Sequence, residues 1–219
     1  MQFPLNRAIS LRITPWLARW KFAPNQVTAL SLATGLLAAW NFLQGTDRAW
    51  IYGALWLEAA YLLDNCDGEL ARLTRKCSGL GSWLDTLSDC LIHGVFFLSL
   101  GYGLTRVRGD PLWMILGWAA AAGVLLTYGS FLFEQVQQRG PSAWRHPDLP
   151  FDERQTPAKR FRKIFREDFS WIVLISACAH QMSWLLWAGM LGAHAHWLLT
   201  GLTLFRTSCA GEKMRGLPS

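Results

Sequence analysis

The chain has 219 residues, of which 52% are hydrophobic and 16% are charged, and its formal net charge is +6. This composition is apolar for a soluble domain and typical of a membrane protein with polar loops. Basic loops that face anionic lipid account for the charge, so we do not expect nucleic-acid binding.

The first predicted element is an amphipathic segment, residues 1–22. Between Phe3 and Lys21, apolar and aromatic side chains alternate with basic ones, and Pro15 divides the segment. This pattern favours one or two short helices in the cytosolic membrane interface over a disordered basic tail. A cleavable signal peptide is not predicted, because the first 21 residues lack a continuous apolar core.

Six long apolar runs follow, each close to the roughly 20 residues that a helix needs to cross a bilayer. They cover residues 27–44, 50–70, 82–104, 111–133, 169–186 and 188–205. We therefore predict an all-α integral membrane protein with six transmembrane helices, forming one membrane domain over residues 1–219. The last two runs have a very short connection and contain polar side chains: His180, Gln181, His194 and His196.

The distribution of basic residues predicts the orientation. If the N-terminus is cytosolic, eighteen lysines and arginines lie on the cytosolic side and only Arg48, Arg106 and Arg108 lie outside. Because basic residues favour the cytosolic side of short loops, we predict a cytosolic N-terminus. The longest polar connection, residues 134–168, is then cytosolic as well, and its basic second half favours another surface helix.

Residues 64–89, DNCDGELARLTRKCSGLGSWLDTLSD, place four aspartates between two apolar runs. Asp64 and Asp67 are three residues apart and share one helix face, whereas Asp85 and Asp89 are four apart and share a face of the next helix. The two pairs therefore project from the two walls of a helical hairpin.

The helical rise predicts the depth of both pairs. Counting from Trp50 at 1.5 Å per residue, Asp64 lies about 21 Å along its span, roughly 9 Å from the inner edge of the hydrocarbon. Counting from Gly81, Asp89 lies about 12 Å into the next span. Both pairs are therefore expected near the cytosolic headgroups.

Four carboxylates at close range cannot all ionise in a low-dielectric site unless cations join them. Two divalent ions balance four negative charges, and hard oxygen ligands suit Mg²⁺ or Mn²⁺. The sequence therefore predicts a site for two metal ions, a type of site that suits phosphoryl chemistry. Arg72 lies on the cytosolic rim, where it offers positive charge to a diphosphate.

The motif has the form Asp64-x-x-Asp67-Gly68-x-x-Ala71-Arg72, eight residues, then Gly81-x-x-x-Asp85-x-x-x-Asp89. It resembles the complete signature of the CDP-alcohol phosphotransferases, with no fixed position altered. Pro24-Asn25-x-x-Thr28 also resembles the start of that family's first span.

The resemblance implies an integral membrane enzyme that moves a phosphate-linked group from a CDP-alcohol to the hydroxyl of a second alcohol and releases CMP. It implies that Asp64, Asp67 and Asp85 bind the metals, while Asp89 accepts the proton of the incoming hydroxyl and also contacts a metal. Dimerisation is expected from the resemblance as well. The residues that it assigns to the nucleotide site are Gly68, Ala71, Arg72, Gly81, Asn25 and Thr28.

We expect CDP-diacylglycerol as donor and a small polar alcohol as acceptor, in phospholipid synthesis at the cytosolic face. A donor with a CDP-linked polar head group is an alternative. A divalent-cation carrier is a second function class, but a carrier site should lie near the bilayer midplane. A silent lipid-binding scaffold is disfavoured because every signature residue is present.

Two further residues allow alternative interpretations. His93, one turn deeper than Asp89, either orients that carboxylate or packs against neighbouring backbone. Glu69 gives the form DGE, which resembles enzymes that handle inositol phosphate compounds, and it either influences the acceptor or is an exposed helix residue. No lysine or arginine follows Asp89 until Arg106, which disfavours a phosphorylated acceptor held by that span.

Overall fold

The computed structural model describes the backbone of residues 5–139 and 169–215. These residues form seven helices and no strand, so the prediction of an all-α chain is confirmed for them. The surface helix predicted in the second half of the 134–168 connection lies outside the described residues. In chain order the helices are α1 (Leu5–Arg19), α2 (Pro24–Leu43), α3 (Asp47–Leu73), α4 (Gly79–Arg108), α5 (Leu112–Arg139), α6 (Phe169–Cys178) and α7 (Met182–Arg215).

The buried face of α1 is polar. Asn6, Ser10 and Thr14, spaced four residues apart, are at most 4% exposed. The large apolar side chains Leu5, Leu11 and Trp16 of this helix are exposed, as is Trp20 just beyond it, together with Arg12 and Arg19. This inverted pattern suits a helix whose apolar face meets lipid, and the interfacial position of the helix stays a prediction.

Three helices are long and apolar enough to cross a membrane: α2, α4 and the Leu112–Ser130 part of α5. Their outward faces carry large apolar side chains, including Trp40, Ile115 and Trp118, each at least 60% exposed. Lipid accommodates such a surface and water does not. The chain is therefore an integral membrane protein, and the full set of six spans stays a prediction.

The helices pack around a core of large apolar side chains. Phe42 of α2, Leu57 of α3 and Phe96 of α4 are at most 2% exposed. Helices α4 and α5 approach closely at Gly101, where an added Cβ would lie 2.8 Å from the carbonyl oxygen of Trp113. Because a side chain does not fit at that distance, glycine permits this crossing.

Helices α3 and α4 behave differently, although they are consecutive in the chain. Both pack extensively against α2, yet their backbones approach each other little. Helix α2 thus holds them side by side and leaves a gap between their facing sides. This gap is where the signature carboxylates lie.

The last two helices differ from the predicted apolar runs. Helix α6 ends and α7 begins at residues 179–181, not near residue 187. His180 has a left-handed φ of +57°, and the N–H of Gln181 donates to the carbonyl of Ser176 at 2.8 Å. Helices usually end this way at glycine. The sequence has neither glycine nor proline at this turn, which is why its apolar pattern misplaced the boundary.

Candidate active site

A short turn joins the end of α3 to the start of α4 and sets the register of the signature residues. Arg75 has a left-handed φ of +54° just beyond α3. Ser78 caps α4, because its side-chain oxygen accepts a hydrogen bond from the N–H of Gly81 at 3.0 Å. Serine is a preferred residue at this capping position. The local sequence therefore fixes Gly81 in the first turn of α4.

Three of the four aspartates meet across the gap between α3 and α4. Carboxylate oxygens of Asp64, Asp67 and Asp85 lie within 4.8 Å of one another. Asp64 is close enough to Asp85 for a hydrogen bond and also interacts electrostatically with Asp89. Asp67 is buried, with 4% exposure, and the other three are half-buried. The structure therefore brings three carboxylates into one cluster with Asp89 beside it.

The hydroxyl of Thr28 holds Asp67 in place. Thr28 Oγ1 donates to Asp67 Oδ2 at 2.5 Å and lies 3.2 Å from the carbonyl oxygen of Pro24, one turn earlier in α2. The predicted nucleotide contact Thr28 is thus a direct neighbour of the carboxylate cluster. Such a contact fixes the direction of a carboxylate that binds metal.

A tyrosine and a histidine close the deep end of the gap. Tyr61, one turn before Asp64, places its hydroxyl 2.5 Å from Nε2 of His93, one turn beyond Asp89. Nδ1 of His93 is 2.7 Å from the backbone carbonyl oxygen of Asp89. His93 therefore makes the backbone contact expected of a packing histidine, and it also connects α4 to α3.

The predicted nucleotide residues lie at the open end of the gap. An added Cβ at Gly68 would lie 3.5 Å from the guanidinium of Arg72, so this side chain covers Gly68. An added Cβ at Gly81 would lie 3.5 Å from Oδ1 of Asn25. Arg72 and Asn25 are exposed, and Ala71 is half-buried. Arg72 thus offers an exposed positive charge beside Gly68, and Asn25 offers an exposed amide beside Gly81.

Glu69 lies on the other side of α3 and binds α1. Its side chain is 8% exposed, so the expectation of an exposed helix residue is wrong. Ser10 Oγ donates to Glu69 Oε1 at 2.9 Å, and Thr14 Oγ1 donates to Oε2 at 2.7 Å. Because both oxygens accept hydrogen bonds from α1, this carboxylate connects two helices.

The cluster fits a divalent cation. All of its ligand atoms are carboxylate oxygens, the type that Mg²⁺ and Mn²⁺ prefer. Oδ1 of Asp64 is buried and has no hydrogen-bond partner among the described residues. A buried acceptor without a partner is costly, and a cation removes that cost together with the mutual repulsion of the carboxylates.

The sequence patterns did not identify three residues that bond to neighbours of the signature: Tyr61, which contacts His93, and Ser10 and Thr14, which contact Glu69. Tyr61 could have been found, because it is three residues before Asp64 and so shares its helix face. The pairing of Ser10 and Thr14 with Glu69 had no local signal, since 59 and 55 residues separate the partners.

The known proteins to which this chain is similar agree with the signature residues found at the site. The family model described as CDP-alcohol phosphatidyltransferase matches residues 21–195. The bifunctional IPC transferase and DIPP synthase of Thermococcus kodakarensis is 31% identical over 163 residues, which cover 74% of this chain and 34% of the relative. The archaetidylinositol phosphate synthase of Pyrococcus horikoshii is 37% identical over 97 residues, 43% of this chain and 50% of the relative.

A third relative is named for a different acceptor, serine. The CDP-diacylglycerol–serine O-phosphatidyltransferase of Helicobacter pylori is 27% identical over 101 residues, which cover 43% of this chain and 41% of the relative. The chain spans about a third of the length of the bifunctional relatives that it matches. The family model nevertheless covers most of the chain, including all four signature aspartates. The chain therefore belongs to the CDP-alcohol phosphatidyltransferase family, whose members are transferases of phosphate-containing groups.

Proposed function

We propose that this protein transfers a substituted phosphate group from a CDP-alcohol to the hydroxyl of an acceptor alcohol and releases CMP. One observation carries the proposal: carboxylate oxygens of Asp64, Asp67 and Asp85 lie within 4.8 Å of one another at the facing sides of α3 and α4. Family membership favours this transfer over a divalent-cation carrier.

The carboxylate cluster is proposed to hold two divalent ions, Mg²⁺ or Mn²⁺. When bound, these ions supply positive charge for the diphosphate and for the charge that develops on the departing CMP. Asp64, Asp67 and Asp85 would hold the ions, and Asp89 would be the fourth carboxylate in contact with them. The hydroxyl of Thr28 keeps the Asp67 carboxylate aimed at the gap.

In the proposed transfer, the acceptor oxygen bonds to the phosphorus that carries the donor's alcohol. The bond from that phosphorus to the bridging oxygen of the diphosphate breaks, and CMP leaves with the electron pair. Asp89 takes the proton of the acceptor hydroxyl, as a general base does. Its place beside the cluster supports this role, since it interacts electrostatically with Asp64.

The cytidine diphosphate is proposed to bind at the open end of the gap. Arg72, which covers Gly68, would neutralise diphosphate charge. Asn25 and Gly81 lie opposite and leave room for the nucleotide, and Ala71 adds little bulk. An active site facing the cytosol and a homodimer both stay predictions.

We propose CDP-diacylglycerol as the donor and a small polar alcohol as the acceptor, in phospholipid synthesis. One relative is an archaetidylinositol phosphate synthase, which makes an inositol phosphate compound the first acceptor to test. Serine is the second acceptor to test, because another relative is named as a serine O-phosphatidyltransferase.

The test is CMP release by the purified protein in lipid bilayers with Mg²⁺ and CDP-diacylglycerol. The acceptor panel contains inositol, inositol phosphate, glycerol phosphate, serine and ethanolamine. We expect CMP release that depends on one acceptor and disappears with EDTA and in Asp85→Asn. Asp110→Asn is the matched control, because this exposed aspartate lies in the α4–α5 connection. Among the described residues its side chain bonds only to the N–H of Leu112, at 2.9 Å.

If no acceptor in the panel gives CMP release from CDP-diacylglycerol, but CDP-choline or CDP-inositol does release CMP, the reaction class stands and the donor changes. Absence of CMP with every donor would contradict the proposal. Equal loss in Asp110→Asn and Asp85→Asn would show damage to the fold and not to the site.

A further inference from the structure

The contact between α1 and α3 consists of buried hydroxyls on a buried carboxylate. Ser10 is fully buried, Thr14 is 4% exposed and Glu69 is 8% exposed. Each hydroxyl donates to a different oxygen of Glu69, at 2.9 and 2.7 Å. Loss of the two hydroxyls would leave the buried Glu69 carboxylate without these donors, which is costly. Each hydroxyl, by contrast, keeps a carbonyl acceptor in its own helix, that of Arg7 for Ser10 and that of Ser10 for Thr14. The contact is therefore specific in geometry and costly to break.

Glu69 and Asp67 lie on opposite sides of the same helix. An α-helix turns by about 100° per residue, so two residues rotate the side-chain direction by roughly 200°. Asp67 is held by Thr28 of α2, and Glu69 is held by Ser10 and Thr14 of α1. Hydrogen bonds from α2 and α1 thus hold opposite sides of α3 at the turn that carries Asp67.

Helix α1 is itself anchored away from this turn. The side-chain amide of Asn6 donates to Ser170 Oγ at 3.0 Å, and Trp171 Nε1 donates to Asn6 Oδ1 at 2.8 Å. Both partners belong to α6. Helix α1 therefore offers Glu69 a support that is fixed by a third helix.

An apolar cluster lies beside the polar contact. Val27 of α2 and Cys66 and Leu70 of α3 are fully buried, and Ile13 and Leu17 of α1 pack against them. Apolar packing holds helices together but is not directional. The hydroxyl–carboxylate bonds are directional, so they can select one rotation of α3 among those that the apolar contacts allow.

We propose that Glu69 is a positioning residue, which sets the rotation of α3 through Ser10 and Thr14 and thereby places Asp67 in the carboxylate cluster. The proposal rests on the proposed transfer reaction and assigns Glu69 no contact with the substrate. The glutamate of the DGE form then positions a helix, a role that is separate from selecting the acceptor alcohol.

The test compares Glu69→Met, which removes both acceptors, with Glu69→Gln, which keeps side-chain length and hydrogen bonding. Glu69→Met is expected to lower kcat per folded molecule about 10- to 100-fold, the effect of a misplaced reacting group. At saturating Mg²⁺, KM for the donor is expected to change little, because Arg72 and Asn25 are untouched. Glu69→Gln should restore most of the turnover.

Two measurements do not depend on turnover. Amide hydrogen exchange of residues 5–19 is expected to rise in Glu69→Met and not in Glu69→Gln, because α1 loosens only in the former. Mn²⁺ binding, followed by electron paramagnetic resonance, is expected to weaken about tenfold in Glu69→Met, because Asp67 shifts. The pair Ser10→Ala with Thr14→Val should reproduce both changes from the other side of the contact.

Ser31→Ala is the matched control. Its buried hydroxyl donates to the carbonyl of Ala60 in α3 at 2.9 Å, so the variant also loses a buried contact to α3, but not one with α1. This control should keep wild-type Mn²⁺ affinity and kcat per folded molecule.

Three results would overturn the proposal: wild-type kcat and Mn²⁺ affinity in Glu69→Met, equal loss in Ser31→Ala, or a Glu69→Gln variant as impaired as Glu69→Met while α1 stays protected. The last result would assign the effect to the charge of Glu69. If the wild type releases no CMP, the proposed function fails, whereas the Mn²⁺ and exchange measurements still decide the positioning role.

Discussion

The hydroxyl of Tyr61 lies 2.5 Å from Nε2 of His93 and joins α3 to α4 one turn deeper than the aspartates. Nδ1 of the same ring faces the carbonyl oxygen of Asp89 at 2.7 Å. A carbonyl oxygen only accepts hydrogen bonds, so Nδ1 carries the proton and Nε2 accepts from Tyr61. The pair fixes how far apart the two helices lie at the base of the site.

Removal of the Tyr61 hydroxyl should destabilise the protein. In Tyr61→Phe, Nε2 of the half-buried His93 loses its donor, and loss of such a hydrogen bond costs about 0.5–1.5 kcal/mol. Denaturant unfolding in detergent measures this difference in the free energy of unfolding. Tyr52→Phe is the control, because Tyr52 lies on the same helix with 59% exposure. Equal stability of the two variants would mean that the Tyr61–His93 contact contributes nothing.

Thr28→Val should weaken metal binding without unfolding the protein. Valine has nearly the shape of threonine but cannot donate to Asp67, and loss of a partner that orients a metal ligand typically costs 10- to 100-fold in affinity. Titration with Mn²⁺ measures the change. Thr34→Val is the control, because in the part of the chain that the structure describes its hydroxyl bonds only to carbonyls of its own helix, Leu30 and Ser31. A Thr28→Val variant with wild-type affinity would refute the positioning of Asp67.

Asp89→Asn and Asp85→Asn should differ in their effects on nucleotide binding. Asp89→Asn is expected to abolish turnover while Mg²⁺-dependent nucleotide binding stays measurable, because asparagine cannot take the proton of the acceptor. Asp85→Asn is expected to lose both, because Asp85 belongs to the cluster of three. Calorimetric binding of a CDP-alcohol, beside CMP release, separates the two effects. Loss of both in Asp89→Asn would make Asp89 chiefly a metal ligand.

Two glycines of α4 should respond differently to alanine. In Gly101→Ala the new Cβ would lie 2.8 Å from the Trp113 carbonyl and 2.9 Å from the Cα of Gly117, so α4 and α5 must separate. Overpacking of this kind costs roughly 1–3 kcal/mol. Gly94→Ala meets nothing within 4 Å and should leave stability unchanged or raise it slightly. Thermal unfolding of the two variants compares them, and equal melting temperatures would contradict the close crossing.

The local part of the site was predictable because it depends on spacing within single helices. Asp64 and Asp67 share a face at three residues, and Asp85 and Asp89 at four, by the helical repeat alone. Ser78 caps the start of α4 in the structure, a local signal that the predicted run from residue 82 did not use. The all-α architecture followed from the long apolar runs, which only helices can carry across lipid.

The end of α6 shows where local reasoning fails. Residues 169–186 form one apolar run, yet His180 turns left-handed within it. A bilayer does not require a continuous helix where the protein packs against itself, and Val173, Ala177 and Met182 are all buried around this turn. Packing, and not a residue with a turn preference, ends the helix.

The amino-acid sequence by itself determined that this is a helical membrane protein with four aspartates on two facing helices and an arginine beside them, because periodicity and hydropathy act over a few turns. The tertiary structure alone decided which side chains hold Asp67 and the residues around the aspartates. Thr28 reaches Asp67 across 39 residues, Tyr61 reaches His93 across 32, and Ser10 reaches Glu69 across 59. Such contacts depend on how helices pack and rotate against one another, and no short pattern in the chain encodes that arrangement.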